Sequence, residues 1–260
     1  MRVLTLGDIV GEPGVRFLCA RLPGFRDQHQ VDFTVANAEN AWRGSGITPK
    51  IARELYAAGV DVVTAGDHVW KRPGIQTHIA GDERLLRAAN HKATSPGRGF
   101  TVMPSKGGVE VGVIHLIGRI FMAPIGCPFE AAEQAVAALR SRVRVIIVDM
   151  HAEATSEKVA MARYLDGRVS VVFGTHTHVP TADVQILPGG TGYITDVGMT
   201  GPYESVIVRR IDAVVQHFVT GLPVPFDVAS EDVRAGAALF RVDDASGRCT
   251  AAERIEWRAH

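Results

Sequence analysis

Short apolar runs rich in β-branched residues recur along this chain, and five of them hand over to polar residues able to hold a cation. Val3-Leu4-Thr5-Leu6-Gly7 is followed by Asp8, and Phe33-Thr34-Val35-Ala36 leads through Asn37 and Ala38 to Glu39-Asn40. Val60 to Gly66 is followed by Asp67-His68, and Val143 to Val148 runs through Asp149 and Met150 to His151. Val169 to Gly174 is followed by Thr175, His176, Thr177 and His178. Apolar runs of about four to eight residues between turn signals read as buried strands.

Between them lie segments of helical period. Thr48 is placed as an N-cap with Pro49 at the first helical position, Ile51, Leu55 and Ala58 share one face, and Gly59 suits a left-handed C-terminal residue. Phe129 to about Ser141 is Ala- and Glu-rich and helical in period. Thr155 caps a third segment, with Val159, Ala162 and Leu165 inward and Gly167 closing it. Strand–helix–strand alternation over the first seventy or so residues, and again from Arg142 to Phe173, predicts βαβ units and a partly parallel core.

Elsewhere the pattern changes. Gly99 to Ile117 carries two β runs around Ser105-Lys106-Gly107-Gly108, and Ala237 to Val242 and Cys249 to Trp257 flank Asp243 to Gly247; both read as hairpins. Tyr193 to Thr195, Ser205 to Arg210, and Val214 to Val219 are strand-like and close together, which predicts antiparallel pairing. The whole is an α/β chain with mixed sheets covered by helices, expected to form one domain over residues 1–260.

Composition narrows the partners. Hydrophobic residues make up 46% and charged residues 22%, ordinary for a globular chain. The 28 basic and 28 acidic residues cancel, so charge indicates neither long nucleic acid nor an anionic membrane. Cys19, Cys127 and Cys249 are few, scattered and odd in number, which speaks against a disulfide framework. The chain enters a strand with no basic leader, and no apolar run approaches the ~20 residues of a membrane span. A cytoplasmic protein is the expectation, and a homo-oligomer is compatible with it.

At strand ends in sheets with crossover helices, loops converge and chemistry collects. Asp8 alone reads equally as a turn or helix-cap residue; Gly7 to Gly14 lacks both the spacing and the Lys-Ser/Thr of a phosphate loop. Glu39-Asn40 pairs a carboxylate able to bridge two cations with a neutral oxygen ligand. Asp67-His68 puts a ligand beside an imidazole that can reach substrate. His176-x-His178 is the most specific local signal, because residues two apart in extended chain project to one side. His151 adds a fifth strand end. The remaining histidines (His29, His78, His91, His115, His217, His260) are given no role.

In order along the chain, these blocks resemble the calcineurin-like metallophosphoesterase superfamily, and within it the YmdB-like branch of bacterial phosphodiesterases. The blocks are Leu6-Gly7-Asp8-Ile9-Val10-Gly11, Asn37-Ala38-Glu39-Asn40, Gly66-Asp67-His68-Val69-Trp70, Asp149 to Glu153, Gly174 to His178, and Asp196 to Pro202. The resemblance implies a four-layer α/β/β/α sandwich of two mixed β-sheets flanked by helices. It also implies two divalent or trivalent transition-metal ions, iron or manganese first and zinc next. Asp8, Glu39, Asn40 and His178 would hold one ion, Glu39, Asp67, His151 and His176 the other, and His68 would be the general acid. Two positions depart from the wider superfamily: Val10 stands where its first motif has His, and Asp67 where Asn usually precedes the catalytic His. The implied activity is hydrolysis of small phosphodiesters, cyclic nucleotides first, by in-line attack of a hydroxide bridging the two ions. The alternative is a weakly catalytic nucleotide- or protein-binding regulator that keeps the metal site, favoured by the extra charge of Asp67. A metal-dependent amidohydrolase also uses His-x-His, but at its first barrel strand, not after residue 170.

Overall fold

The computed structural model describes residues 1–258. The chain first builds most of one sheet: β1 (Arg2–Leu6), β2 (Asp8–Ile9), β3 (Phe33–Asn37), β4 (Val62–Thr64) and β5 (Leu85–Leu86). It then builds a second from β6 (Phe100–Pro104), β7 (Glu110–Ile117), β8 (Val145–His151), β9 (Val171–Thr175), β10 (Gln185–Ile186) and β11 (Gly192–Ile194). Finally β12 (Met199–Pro202), β13 (Val233–Val242) and β14 (Cys249–Arg258) return to the first. The order in the first sheet is β2-β12-β13-β1-β3-β4-β5, with β14 on β13; in the second it is β10-β11-β9-β8-β7-β6. Both sheets are mixed. β1, β3, β4 and β5 run parallel, as do β7, β8, β9 and β11, while β13 and β6 pair antiparallel with their neighbours.

Alternate residues of each strand point to opposite faces, and this divides the apolar side chains into layers. Val3, Phe33, Val35 and Val62 of the first sheet meet Val113, Val145, Ile147, Val171 and Phe173 of the second in a shared apolar layer. On the outer face of the first sheet, Leu4, Leu6, Ala36 and Val63 pack against α1 (Gly11–His29), α2 (Pro49–Ala57) and α3 (Ile75–Gly81). On the outer face of the second, Ile114, Leu116, Ile146 and Val148 pack against α4 (Pro128–Arg140) and α5 (Thr155–Leu165). The result is the expected four-layer sandwich, with the carboxyl ends of its parallel strands on one rim.

Local signals hold where caps or tight turns set them. The Thr48 side chain accepts from the backbone amide of Ile51 at 3.3 Å, and Gly59 takes φ +106. Both predicted hairpins pair antiparallel.

Several expectations are corrected. Val214 to Val219 is not a strand but part of α6 (Ile211–Thr220), closed by Gly221 at φ 69. Ile211, Val214, Val215, Phe218 and Val219 recur at helical spacing, and their β-branched character masks it in so short a run. Ser205 to Arg210 is a turn, because Ile207 and Val208 adopt φ 43 and 72 and interrupt any ladder. Tyr193 to Ile194 lies in β11, parallel to β9 and antiparallel only to the two-residue β10. In α5, Thr155 is the first helical residue and Ala154 occupies the cap without a side-chain bond. There Val159 is exposed, and Lys158 and Met161 turn inward with Ala162 and Leu165.

Candidate metal centre

All eight side chains marked in the sequence converge at the rim where the two sheets meet. Asp8 opens β2 directly beyond β1 and is fully buried; the cap of α1 is Val10, so Asp8 is not a capping residue. The nearby glycine has a packing cause: a Cβ at Gly14 would collide with the Thr200 carbonyl, so α1 lies tight against β12. Glu39 and Asn40 follow β3, Asp67 and His68 follow β4, His151 ends β8, and His176 and His178 follow β9.

One ligand atom each from Glu39, Asp67, His151 and His176 lies within 4.8 Å of all the others. His151 Nε2 is 3.2 Å from Glu39 Oε2, 3.2 Å from Asp67 Oδ1 and 3.1 Å from His176 Nδ1. These are the four residues assigned together to one ion. The other set also meets: His178 Nε2 is 3.8 Å from Asp8 Oδ1 and 3.1 Å from Asn40 Nδ2, and Asn40 Nδ2 donates to Glu39 Oε1 at 3.0 Å. Asn40 turns its amide nitrogen to these groups, while its oxygen lies 2.8 Å from His68 Nδ1. An amide holds a cation through oxygen, so Asn40 would serve as a ligand only with its amide turned over.

The four-residue cluster offers a donor set for a cation, and Asp8 and His178 add two further donors beside it. Asp8 Oδ1 is buried and has no hydrogen-bond partner among the described residues. Burial pushes the Asp8 carboxyl well above its ordinary range, and the nearby His151 only partly opposes this; a cation beside it would compensate the buried charge. Burial pushes His178 down to about 4 and also lowers His176, so both rings are neutral and able to ligate at neutral pH. His176 and His178 take φ 99 and 65, conformations that cost non-glycine residues about 1–3 kcal/mol each and persist where the surrounding structure over-determines them.

His68 stands apart from the four-residue cluster. Its Nδ1 lies 3.4 Å from Glu39 Oε1 as well as near Asn40, its backbone amide donates to Glu39 Oε2 at 3.1 Å, and its Nε2 is 3.9 Å from Asp67 Oδ2. Hydrogen bonding to Glu39 raises its pKa above the ordinary imidazole value, against the burial that would lower it.

Beneath the site lies a network without local sequence signature. Thr175 Oγ1 donates to Asp149 Oδ1 at 2.7 Å and lies 2.9 Å from His151 Nδ1. With that proton spent on Asp149, Thr175 would accept from His151 Nδ1, which the Asn37 amide nitrogen also approaches at 3.2 Å, while His151 Nε2 faces Glu39 and Asp67. Thr64 Oγ1 and Asn37 Nδ2 also donate to Asp149, at 2.5 and 3.3 Å. His115, given no role from sequence, is fully buried with Nδ1 3.1 Å from Asp149 Oδ2. Burial alone would raise the Asp149 carboxyl; His115 and Thr64 help to outweigh it and hold it below its ordinary value. Glu153 Oε2 lies 3.2 Å from His176 Nε2 at the rim. Asp196 touches no imidazole among the described residues; it accepts from Thr177, between His176 and His178. His260 lies outside the described residues.

Gly66 is the position where close approach excludes any side chain, since a Cβ there would meet Glu39 Oε2 and His151 Nε2. Gly66→Ala is expected to displace both ligands and weaken metal binding about 10–100-fold, as loss of an orienting partner does. Titration of the metal-free protein with Mn²⁺ reads this directly, and an unchanged affinity would show that neither group holds the ion.

A family model described as YmdB-like protein matches residues 4–255. The chain is 42% identical over 255 residues to the 2′,3′-cyclic-nucleotide 2′-phosphodiesterase of Bacillus subtilis (strain 168), covering 98% of this chain and 96% of that protein. A solved structure of a hypothetical protein from Thermus thermophilus superposes with a TM-score of 0.92 at 41% identity, covering 99% of both chains. A solved structure of a novel phosphatase from Mycoplasma pneumoniae gives a TM-score of 0.92 at 31% identity, covering 99% of this chain and 93% of that one. From the first strand to the last hairpin, then, the chain belongs to the YmdB-like family.

Proposed function

We propose that this chain is a metal-dependent phosphodiesterase acting on small diesters, with 2′,3′-cyclic nucleotides as the first substrates to test. The observation that carries this reading is the convergence of Glu39, Asp67, His151 and His176 around one point, with Asp8, Asn40 and His178 on the other side of Glu39. Two transition-metal ions at these two sets would supply Lewis acidity, drawing charge from phosphate oxygens and making water acidic enough to attack near neutral pH. Imidazole and carboxylate donors without thiolate suit iron, manganese or zinc.

The chain's own groups perform the rest. Thr175 and Asp149 fix the His151 ring, and Glu39 joins the two ligand sets through its two oxygens. Three ligand carboxylates against two divalent cations would leave one positive charge before hydroxide binds, which suits an anionic substrate. His68 keeps Nδ1 against Glu39, and we assign its Nε2 the transfer of a proton to the leaving alkoxide.

The layer plan shared with the solved structures and the apolar layer between the sheets support reading the chain as one metallophosphoesterase domain. No helix among the described residues is long and apolar enough to cross a membrane, and Cys19, Cys127 and Cys249 are free; we place the protein in the cytoplasm.

The test is elemental analysis of the purified protein together with hydrolysis of bis(p-nitrophenyl) phosphate before and after chelation. About two equivalents of transition metal, and activity lost on chelation and restored by Mn²⁺, are expected. A metal-loaded protein that hydrolyses neither this ester nor a 2′,3′-cyclic nucleotide would favour the regulator instead.

A further inference from the structure

A buried ion pair lies outside the proposed ligand set. Lys158, in the first turn of α5, and Asp196, in the loop between β11 and β12, are each 1% exposed, with Nζ 2.7 Å from Oδ2. Burying two charges seldom stabilises a fold more than apolar side chains of similar volume would, so such a pair asks what it specifies. Asp196 answers through its other bonds. Its Oδ2 also accepts from the backbone amide of Thr177 at 3.2 Å and from Thr177 Oγ1 at 2.8 Å, and its Oδ1 accepts from the amide of Gly198 at 2.8 Å. Thr177 is the residue between His176 and His178, both held in left-handed backbone conformations. Farther along, Thr181 exchanges bonds with the Asp196 backbone at 3.0 Å in each direction, so the loop is clamped on its carboxyl side as well.

We propose that the Lys158–Asp196 pair is a positioning device for the metal centre: Lys158 fixes the Asp196 carboxylate, which grips Thr177 and so sets the aim of His176 and His178. Neither residue touches the reacting atoms; both act through the loop. Through His176 and His178 the device serves one ligand of each ion, so its loss weakens both sites together. The inference rests on the metal-dependent reading above.

The experiment titrates metal-free wild-type and variant proteins with Mn²⁺ alone and measures Tm with and without the ion. For Lys158→Met and Asp196→Asn, Mn²⁺ affinity is expected to fall about 10–100-fold, the usual cost of losing a partner that orients a ligand. The rise in Tm on adding Mn²⁺ should shrink with it, because that rise reports binding to the folded state. A purely structural ion pair would lower both Tm values equally and leave the affinity alone; that result overturns the proposal. Arg26→Met, which breaks a partly buried pair with Asp61 at 2.9 Å, is the control expected to behave that way.

Should Lys158→Met fail to fold, Thr177 decides. Thr177→Val removes the hydroxyl, with its bond to Asp196 and the long 3.5 Å one from the Val179 amide, but keeps the Thr177 backbone amide bond. It is expected to weaken Mn²⁺ several-fold, whereas Thr177→Ser restores the wild-type value; identical affinities for Val and Ser overturn the proposal. A wild-type protein that takes up no Mn²⁺, iron or zinc sinks the metal-dependent reading itself, an outcome distinct from metal-competent variants that match wild type.

Discussion

Glu39→Ala should strip metal from both halves of the site, abolish hydrolysis and leave a folded protein. Glu39 is 1% exposed and is the one carboxylate placed between the two sets: Oε2 faces His151 at 3.2 Å, and Oε1 accepts from Asn40 at 3.0 Å. Removing any other ligand leaves one complete set, whereas removing Glu39 leaves none. The loss of affinity should therefore exceed the 10–100-fold typical of an orienting partner, and activity should fall at least as far. The metal-free protein should stay folded, because the residue sits at the strand rim beyond the shared apolar layer. It should nonetheless lose stability, since the substitution takes from buried His151 the carboxylate that faces it at 3.2 Å. Elemental analysis and circular dichroism make the measurement. Unchanged metal content would refute the bridging assignment.

The second large effect concerns His68. As a proton donor outside the ligand set, it can be replaced by Ala with both metals and phosphate binding retained, while turnover of diesters with alkoxide leaving groups drops about 10²–10⁴-fold. Diesters with a nitrophenolate leaving group need far less protonation, so their loss should be much smaller. The geometry makes this contrast sharp: His68 is absent from the four-residue cluster, and its Nδ1 faces Glu39 at 3.4 Å. Equal losses on the two substrate types, with an ion missing, would move His68 into the coordination sphere and leave the reaction without a named acid.

The departures from the wider superfamily also find their setting. Asp67 has an oxygen 3.2 Å from His151 Nε2 and the other 3.9 Å from His68 Nε2. It thus stands among the proposed ligands with its charge toward the acid, a consequence of Asp in place of Asn. At position 10, Val is fully buried and pairs by an isolated bridge with Asn40, which brings the proposed substitute ligand beside the first motif.

Residue type and local pattern determined a good deal by themselves. Strand ends followed by Asp, Glu, Asn and His were readable at five places because each signal is local: an apolar run, a stop, a side chain able to ligate. The ends of α2 were readable because Thr48, Pro49 and Gly59 act through bonds and backbone angles within a few residues. What only the tertiary structure decided depends on partners far apart in the chain. Local sequence cannot say that five strand ends lie on one rim; that follows from the parallel registers of two sheets. The Thr64–Asp149–Thr175–His151 network joins three strands, and Lys158–Asp196–Thr177 joins a helix to two loops, so each residue alone looks like an ordinary core or turn position. Nor could a short β-branched run reveal that Val214 to Val219 is helical, since without knowledge of which face is buried the strand and helix periods overlap over so few residues. Ligand chemistry is a property of the side chain; convergence and orientation belong to the packing that brings distant segments together.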